Sequence, residues 1–248
     1  MGFRRLAGIV AALVFTAVLA APSASAAAAL PAAVDGASGV TCSMPESDAE
    51  ALVILNAIYP NKYVWDHTHL TVAIQAAPNV SPVQLDAIHR AIDTWGTVLR
   101  NCFDGLITLT DVTDAKRRTA DIVVHYVPRA GGVVFGGYAI CGAKGCPNII
   151  VRSDLPPSLG VDPYSPEHLY NVTLHELGHA LGLGHATNLL ESTDLMGYGW
   201  SRTNGITPVL SQCDVDALAY LFSWALTETP PPGPGLSSFE PTFDCSET

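Results

Sequence analysis

One run of eleven residues, HELGHALGLGH at 175–185, constrains this chain more than any other. His175 and His179 are four apart, so on a helix both imidazoles stand on one face and can share one metal ion. Glu176 adjoins the first of them and reaches a water on that metal without ligating it. Gly182 is where the helix has to stop, because a residue without a side chain takes the left-handed conformation that turns the chain and brings His185 back to the same ion. Three neutral imidazoles leave one position of a zinc tetrahedron open, and that open position separates a hydrolytic centre from a closed structural one. The five fixed residues arise by chance in a chain of this size with a probability on the order of 10⁻⁵. Without a metal, three clustered histidines would each need a separate polar partner.

The flanking sequence supplies the helix that the motif requires. Ser165-Pro166 is a cap followed by a first-turn proline, which predicts a helix over 166–181 ending near Gly182. A second long helix is predicted after Ser81, where Pro82 and Gln84 complete the start signal and Leu85, Ile88, Ile92, Trp95 and Leu99 form one apolar stripe. His89 and Asp93 fall off that stripe and are expected to face solvent. Branched residues predict strands at 70–74, 106–109, 122–127 and within NIIVRS, the second and third separated by a charged turn. The glycine-rich stretch 131–145 fits an edge strand with bulges or a closely approached loop. Ser47 with Glu50 opens a short N-terminal helix that Pro60 closes, and Ser211 with Asp214 opens a last helix. His67, His69, His125 and His168 read as ordinary surface or packed residues, with His125 the one worth checking against a metal.

Composition bounds the rest. A chain of 248 residues, 48% hydrophobic, holds one well-packed domain with short appendages. The net charge of −11 argues against nucleic-acid and anionic-membrane partners. Residues 1–26 read as a secretion signal, with Arg4 and Arg5, an apolar core and Ala24-Ser25-Ala26 as the cleavage site, so the mature chain is expected outside the cell and free of the membrane. Residues 27–62 form a leader with the short helix and are a candidate prosegment; 63–227 form the catalytic domain; 228–248 are a Pro/Gly-rich tail. Six cysteines in an oxidising compartment suggest three disulfides, with fifteen connectivities open. Cys141 with Cys146 is the favoured pair over a paired-thiol metal site; the other four cysteines allow three pairings, of which Cys213 with Cys245, tying the tail to the body, and Cys42 with Cys102 is taken without a residue pattern to single it out.

On the whole HELGHALGLGH motif together with DLMGYG, whose Met196 stands eleven residues past His185, the chain resembles the metzincin clan of zinc endopeptidases. Within the clan it is most similar to the matrixins, the catalytic domains of matrix metalloproteinases and their bacterial relatives. KYVWDHTHLTVAI, IDTWG, TADIVVHY and LSQCDVDALAYLF extend the resemblance over roughly residues 63–225.

The resemblance implies an α/β (loosely α+β) zincin fold: a twisted, mostly parallel sheet of about five strands, two long helices, and a smaller C-terminal subdomain. It implies one catalytic zinc on His175, His179 and His185, Glu176 as general base in peptide-bond hydrolysis, and Met196 as an apolar floor beneath the histidines. Gly136, Gly137, Tyr138 and Ala139 fall where the family has the edge strand to which an extended peptide adds. Tyr198 stands where some metzincins carry a tyrosine near the zinc, and reads either as such a group or as a pocket wall. No calcium loop and no structural-zinc pattern is recognisable, so calcium is left open. CSMPESD faintly resembles a prosegment with a zinc-blocking cysteine, but the preceding arginine is missing and a structural disulfide is preferred for Cys42. The expected activity is a secreted, monomeric endopeptidase acting on protein or peptide; the alternative is a secreted metzincin-fold binding or adhesion protein with little turnover.

Overall fold

The computed structural model describes residues 65–78, 80–116, 119–127, 137–142, 145–152, 165–185, 194–197 and 210–226. The signal, the leader with its short helix, Cys42, the C-terminal tail, Gly136 and Tyr198 lie outside these residues.

Among the described residues five strands make one sheet: β1 (His69–Ala76), β2 (Thr108–Asp111), β3 (Ile122–Val127), β4 (Gly137–Gly142) and β5 (Gly145–Arg152). Their order is β2-β1-β3-β5-β4. The first three pairings are parallel, registered at His69↔Thr108, Val72↔Ile122 and Val123↔Asn148. β4 closes the edge antiparallel to β5, with Tyr138 opposite Ile150 and a register shift between Ile140 and Gly142. The described part of the glycine-rich stretch, Gly137–Gly142, is thus the bulged edge strand of the two alternatives. Val72, Ala73 and Ile74 are buried in succession, as a central strand covered on both faces requires.

The parallel connection from β1 to β2 is made by α1 (Pro82–Cys102). Its start carries the capping box read from the sequence: the Gln84 amide donates to Ser81 Oγ at 3.3 Å and the Ser81 amide to Gln84 Oε1 at 3.1 Å. Ile88, Ile92, Trp95 and Leu99 are buried along one face. His89 does not simply face solvent, because its Nδ1 hydrogen-bonds the Asp111 carboxylate; Asp93 is exposed. Cys102 is buried and disulfide-bonded, and no free cysteine occurs among the described residues.

Two expectations are corrected. The strand placed at 106–109 is Thr108–Asp111. Asp104 (φ 48°) and Gly105 (φ 79°) are both left-handed after α1, and this turn leaves Leu106 half exposed, so pairing with β1 begins two residues later. The charged turn that follows also contains a single helical turn, α2 (Thr113–Lys116).

The second long helix, α3 (Pro166–Leu181), has the predicted bounds and packs against α1, β4 and β5. The described residues end with α4 (Gln212–Leu221) and α5 (Ser223–Leu226). Phe222 between them meets Phe103 edge-on at 5.9 Å, which seats this part of the chain on the end of α1. The architecture is the expected α/β fold with a five-stranded, mostly parallel sheet. No described helix is long and apolar enough to cross a membrane.

Candidate active site

Local rules place the first two histidines. Ser165 caps α3 by accepting from the His168 amide at 3.4 Å, and the helix then runs unbroken to Leu181. Gly182 takes φ 115°, ψ −1°; its amide reaches the His179 carbonyl at 3.0 Å and the Leu183 amide reaches the Gly178 carbonyl at 3.0 Å. This left-handed exit needs a glycine, and it carries His185 back over the last turn of the helix. The outcome is a cluster of His175, His179 and His185 whose ligating nitrogens lie within 4.8 Å of one another. Ring centroids are 4.6, 5.4 and 4.7 Å apart for the pairs 175/179, 175/185 and 179/185.

Hydrogen bonds fix the tautomers. His175 Nδ1 lies 2.6 Å from the Leu195 carbonyl oxygen and His179 Nδ1 2.8 Å from that of Leu183. A carbonyl only accepts, so both Nδ1 atoms carry the proton and both Nε2 lone pairs are left for a ligand. Burial and the neighbouring imidazoles hold His175 well below the usual histidine range. Burial brings His179 down to about 4 and His185, which also faces His179, down to about 3. Three neutral imidazoles with converging lone pairs fit a zinc ion by donor type, number and oriented outer hydrogen bonds. Among the described residues no other group of three or more potential ligands meets the same spacing.

Glu176 is 5% exposed, and burial pushes its carboxyl up to about 8, opposed by the backbone hydrogen bond from Ala139. Among the described residues its Oε2 has no hydrogen-bond partner. The donor sits in β4, so the edge strand and the metal-motif helix meet at the glutamate. Gly137 and Tyr138 lie in the same strand, both partly buried.

Met196 is 1% exposed and packs against α3 at Gly178, where an added Cβ would come within 2.5 Å of the methionine Sδ. It is set there by a short turn: its amide donates to Asp194 Oδ1 at 2.8 Å, and the Gly197 amide to the Asp194 carbonyl at 3.0 Å. The turn also supplies the Leu195 carbonyl that orients His175. The remaining histidines stay apart from the cluster. His125 Nε2 is 2.9 Å from Asn148 Oδ1, His67 lies between Asp66 and Asp121, His69 meets Thr108, and His168 is packed in the first turn of α3.

Sequence reasoning missed two supports. Trp65 Nε1 donates to the Ala180 carbonyl at 2.9 Å and Trp95 Nε1 to the Leu174 carbonyl at 2.8 Å, so two indoles grip the motif helix. An indole N–H inside a core needs an acceptor, and that is the signal that could have found them. Asp194 also hydrogen-bonds Asp214 of α4, a link between the methionine turn and the last helix.

No protein-family model matches the chain. Among curated proteins it is 29% identical to interstitial collagenase of Sus scrofa over 188 residues, covering 71% of this chain and 36% of that protein. It is 31% identical to matrix metalloproteinase-16 of Homo sapiens over 135 residues, covering 50% and 22%. Matrix metalloproteinase-18 of Xenopus laevis matches at 37% over 71 residues, covering 29% and 15%. The matched part therefore spans about a third or less of the length of these relatives. In sequence, as in its five-stranded α/β fold, the chain is matrixin-like and similar to matrix metalloproteinases.

Proposed function

We propose that this chain is a secreted, monomeric zinc endopeptidase, with residues 63–227 as its catalytic unit behind the signal at 1–26 and the leader at 27–62. The observation that carries the reading is the convergence of His175, His179 and His185 within 4.8 Å beside a buried carboxylate with one oxygen unpartnered among the described residues. The similarity to proteins named metalloproteinases supports it.

His175, His179 and His185 would hold zinc, which when bound supplies Lewis acidity toward a carbonyl and makes water nucleophilic near neutral pH. Glu176 is anchored on the Ala139 amide and presents Oε2 to the reacting groups. It accepts a proton from the attacking water and passes it to the leaving amine as the C–N bond breaks. Burial raises the proton affinity of this carboxyl, and a cation held by the neighbouring histidines would oppose that shift by favouring the charged form that accepts a proton. Among the described residues no strand pairs with the outer edge of β4, so an extended peptide can add there along Gly137, Tyr138 and Ala139. Gly136 and Tyr198 are kept in the proposal as the start of that edge and as a transition-state or pocket-wall group.

The test is zinc content and cleavage of an unfolded protein substrate by the processed chain, beside Glu176→Ala. One zinc in both, with cleavage by the unmodified chain alone, is the expected result. Zinc in both with cleavage by neither would favour latency or the binding-protein alternative, and the position of the mature N-terminus relative to Cys42 would decide between them.

A further inference from the structure

The edge strand does more at this site than offer backbone to a peptide. A Cβ at Gly137 would lie 2.7 Å from Glu176 Cγ, 2.9 Å from Glu176 Oε1 and 2.8 Å from Val172 Cγ1. All three are closer than packed carbon atoms approach one another. Val172 and Glu176 are one turn apart on α3, so Gly137 faces the stripe of the helix that carries the glutamate. Two residues on, the same strand provides the Ala139 amide that donates to the Glu176 carboxylate. Val151 and Ile149 of β5 pair with Gly137 and Ala139 and are both fully buried, so the strand has little freedom to move away from the helix without disturbing the core.

These contacts leave a side chain at position 137 two ways to fit. Either β4 lifts off α3 and the Ala139 amide leaves the carboxylate, or Glu176 rotates and carries Oε2 with it. The first removes the anchor of the carboxylate and the second moves it, so neither leaves Glu176 held as it is now. We propose that Gly137 is a positioning residue: by having no side chain, it lets the edge strand close on α3 and hold the Glu176 carboxylate in one place. The inference rests on the endopeptidase reading for its kinetic consequence, while the contact itself is independent of it.

The experiment compares the unmodified chain with Gly137→Ala, Glu176→Ala and the double variant, measuring bound zinc, thermal midpoint and steady-state cleavage of an unfolded protein. Gly137→Ala is expected to keep one zinc and a KM within about threefold, with kcat lowered on the order of 10–100-fold, the usual cost of a misplacement of about 1 Å. Its midpoint should fall in the Glu176 background and fall much less in the Glu176→Ala background, where Cγ and Oε1 are gone. Adding Val172→Ala to Gly137→Ala relieves only the valine contact and should not restore kcat; recovery there would overturn the assignment in favour of simple crowding. Wild-type kcat in Gly137→Ala, or an equal fall in midpoint in both backgrounds, would overturn it as well. Failure of the unmodified, zinc-loaded chain to cleave would overturn the endopeptidase reading instead, and the midpoint comparison would still decide the contact. If Gly137→Ala does not fold alone, folding of the double variant with Glu176→Ala supports the contact, and failure of both to fold overturns it.

Discussion

Trp95 donates its indole N–H to the carbonyl of Leu174 at 2.8 Å, joining the middle of α1 to the residue that immediately precedes His175. Trp95 is fully buried, and its ring also comes within 3.3 Å of where a Cβ at Gly178 would stand. One side chain thus packs two turns of the motif helix and anchors one of its carbonyls. Trp95→Phe keeps an aromatic ring but loses the donor and part of the volume. A loss of about 1–3 kcal/mol is expected, read as a lower urea midpoint at unchanged slope. Zinc affinity should fall with it, measured by competition with a chelator. An unchanged midpoint would mean that the indole is dispensable for seating the helix.

Gly178 and Met196 make a second close contact. A Cβ at 178 would meet Sδ at 2.5 Å and Cε at 3.2 Å, and Met196 is buried in a turn already fixed through Asp194. Methionine is flexible, but here there is little room to yield. Gly178→Ala should cost about 1–3 kcal/mol by overpacking. The double variant with Met196→Ala, which removes both offending atoms, should recover part of that loss. Chemical denaturation of the two single variants and the double variant gives the coupling directly.

How legible all this was in the sequence depended on distance along the chain. The start of α1 and both bounds of α3 could be read because the capping groups are local: Ser81 with Gln84, Ser165 with Pro166, and Gly182 at φ 115°. The histidine cluster followed from the same logic, since one helix and one tight exit place all three rings. The onset of β2 was misread because Asp104 at φ 48° carries no distinctive signal, whereas Gly105 beside it does. Sequence alone does not decide β4 between strand and loop because glycine states no preference, and its orientation is set by pairing with β5. Trp95 was read as one more apolar position of a stripe, although its N–H called for an acceptor. The Asp194–Asp214 link was beyond a local reading, because it joins a turn to a helix start twenty residues later, and each carboxylate had an innocent local role.

That carboxyl pair gives stability an unusual pH dependence. Burial pushes Asp194 up; burial, then the charge of Asp194, push Asp214 well up. Two carboxyl groups that hydrogen-bond to each other hold a proton between them, so the folded chain binds protons more tightly here than the unfolded one. A raised folded value means that the contribution is fully present below the ordinary aspartate range and is lost as pH rises through the folded value. Asp214→Asn cannot ionise, yet its amide oxygen can still accept from the Ser211 amide, now 3.0 Å from Asp214 Oδ2. The variant should therefore lose less stability than the unmodified chain between pH 5 and pH 8. Urea midpoints of both proteins at these two values test the sign, and parallel lines would rule out a shared proton.

Metal removal tests the histidine cluster apart from any cleavage assay. The two Nε2 lone pairs left by His175 and His179 converge only in the folded chain, because their tautomers are set by the Leu195 and Leu183 carbonyls. An ion that binds there binds the native state alone and stabilises it by mass action, about 2.7 kcal/mol at a free concentration of 100 Kd. For a domain of this size that corresponds to roughly 5–11 °C in thermal midpoint. Chelation is expected to lower the midpoint by that amount, and the midpoint should climb again with the logarithm of free zinc. His179→Ala removes one ligand from the buried side of the cluster, so its midpoint should be nearly flat over the same zinc range. His125→Ala, whose ring is engaged with Asn148 away from the cluster, should keep the full zinc response. A zinc response that survives His179→Ala would place the ion elsewhere; one that vanishes in His179→Ala and persists in His125→Ala assigns it to the three histidines.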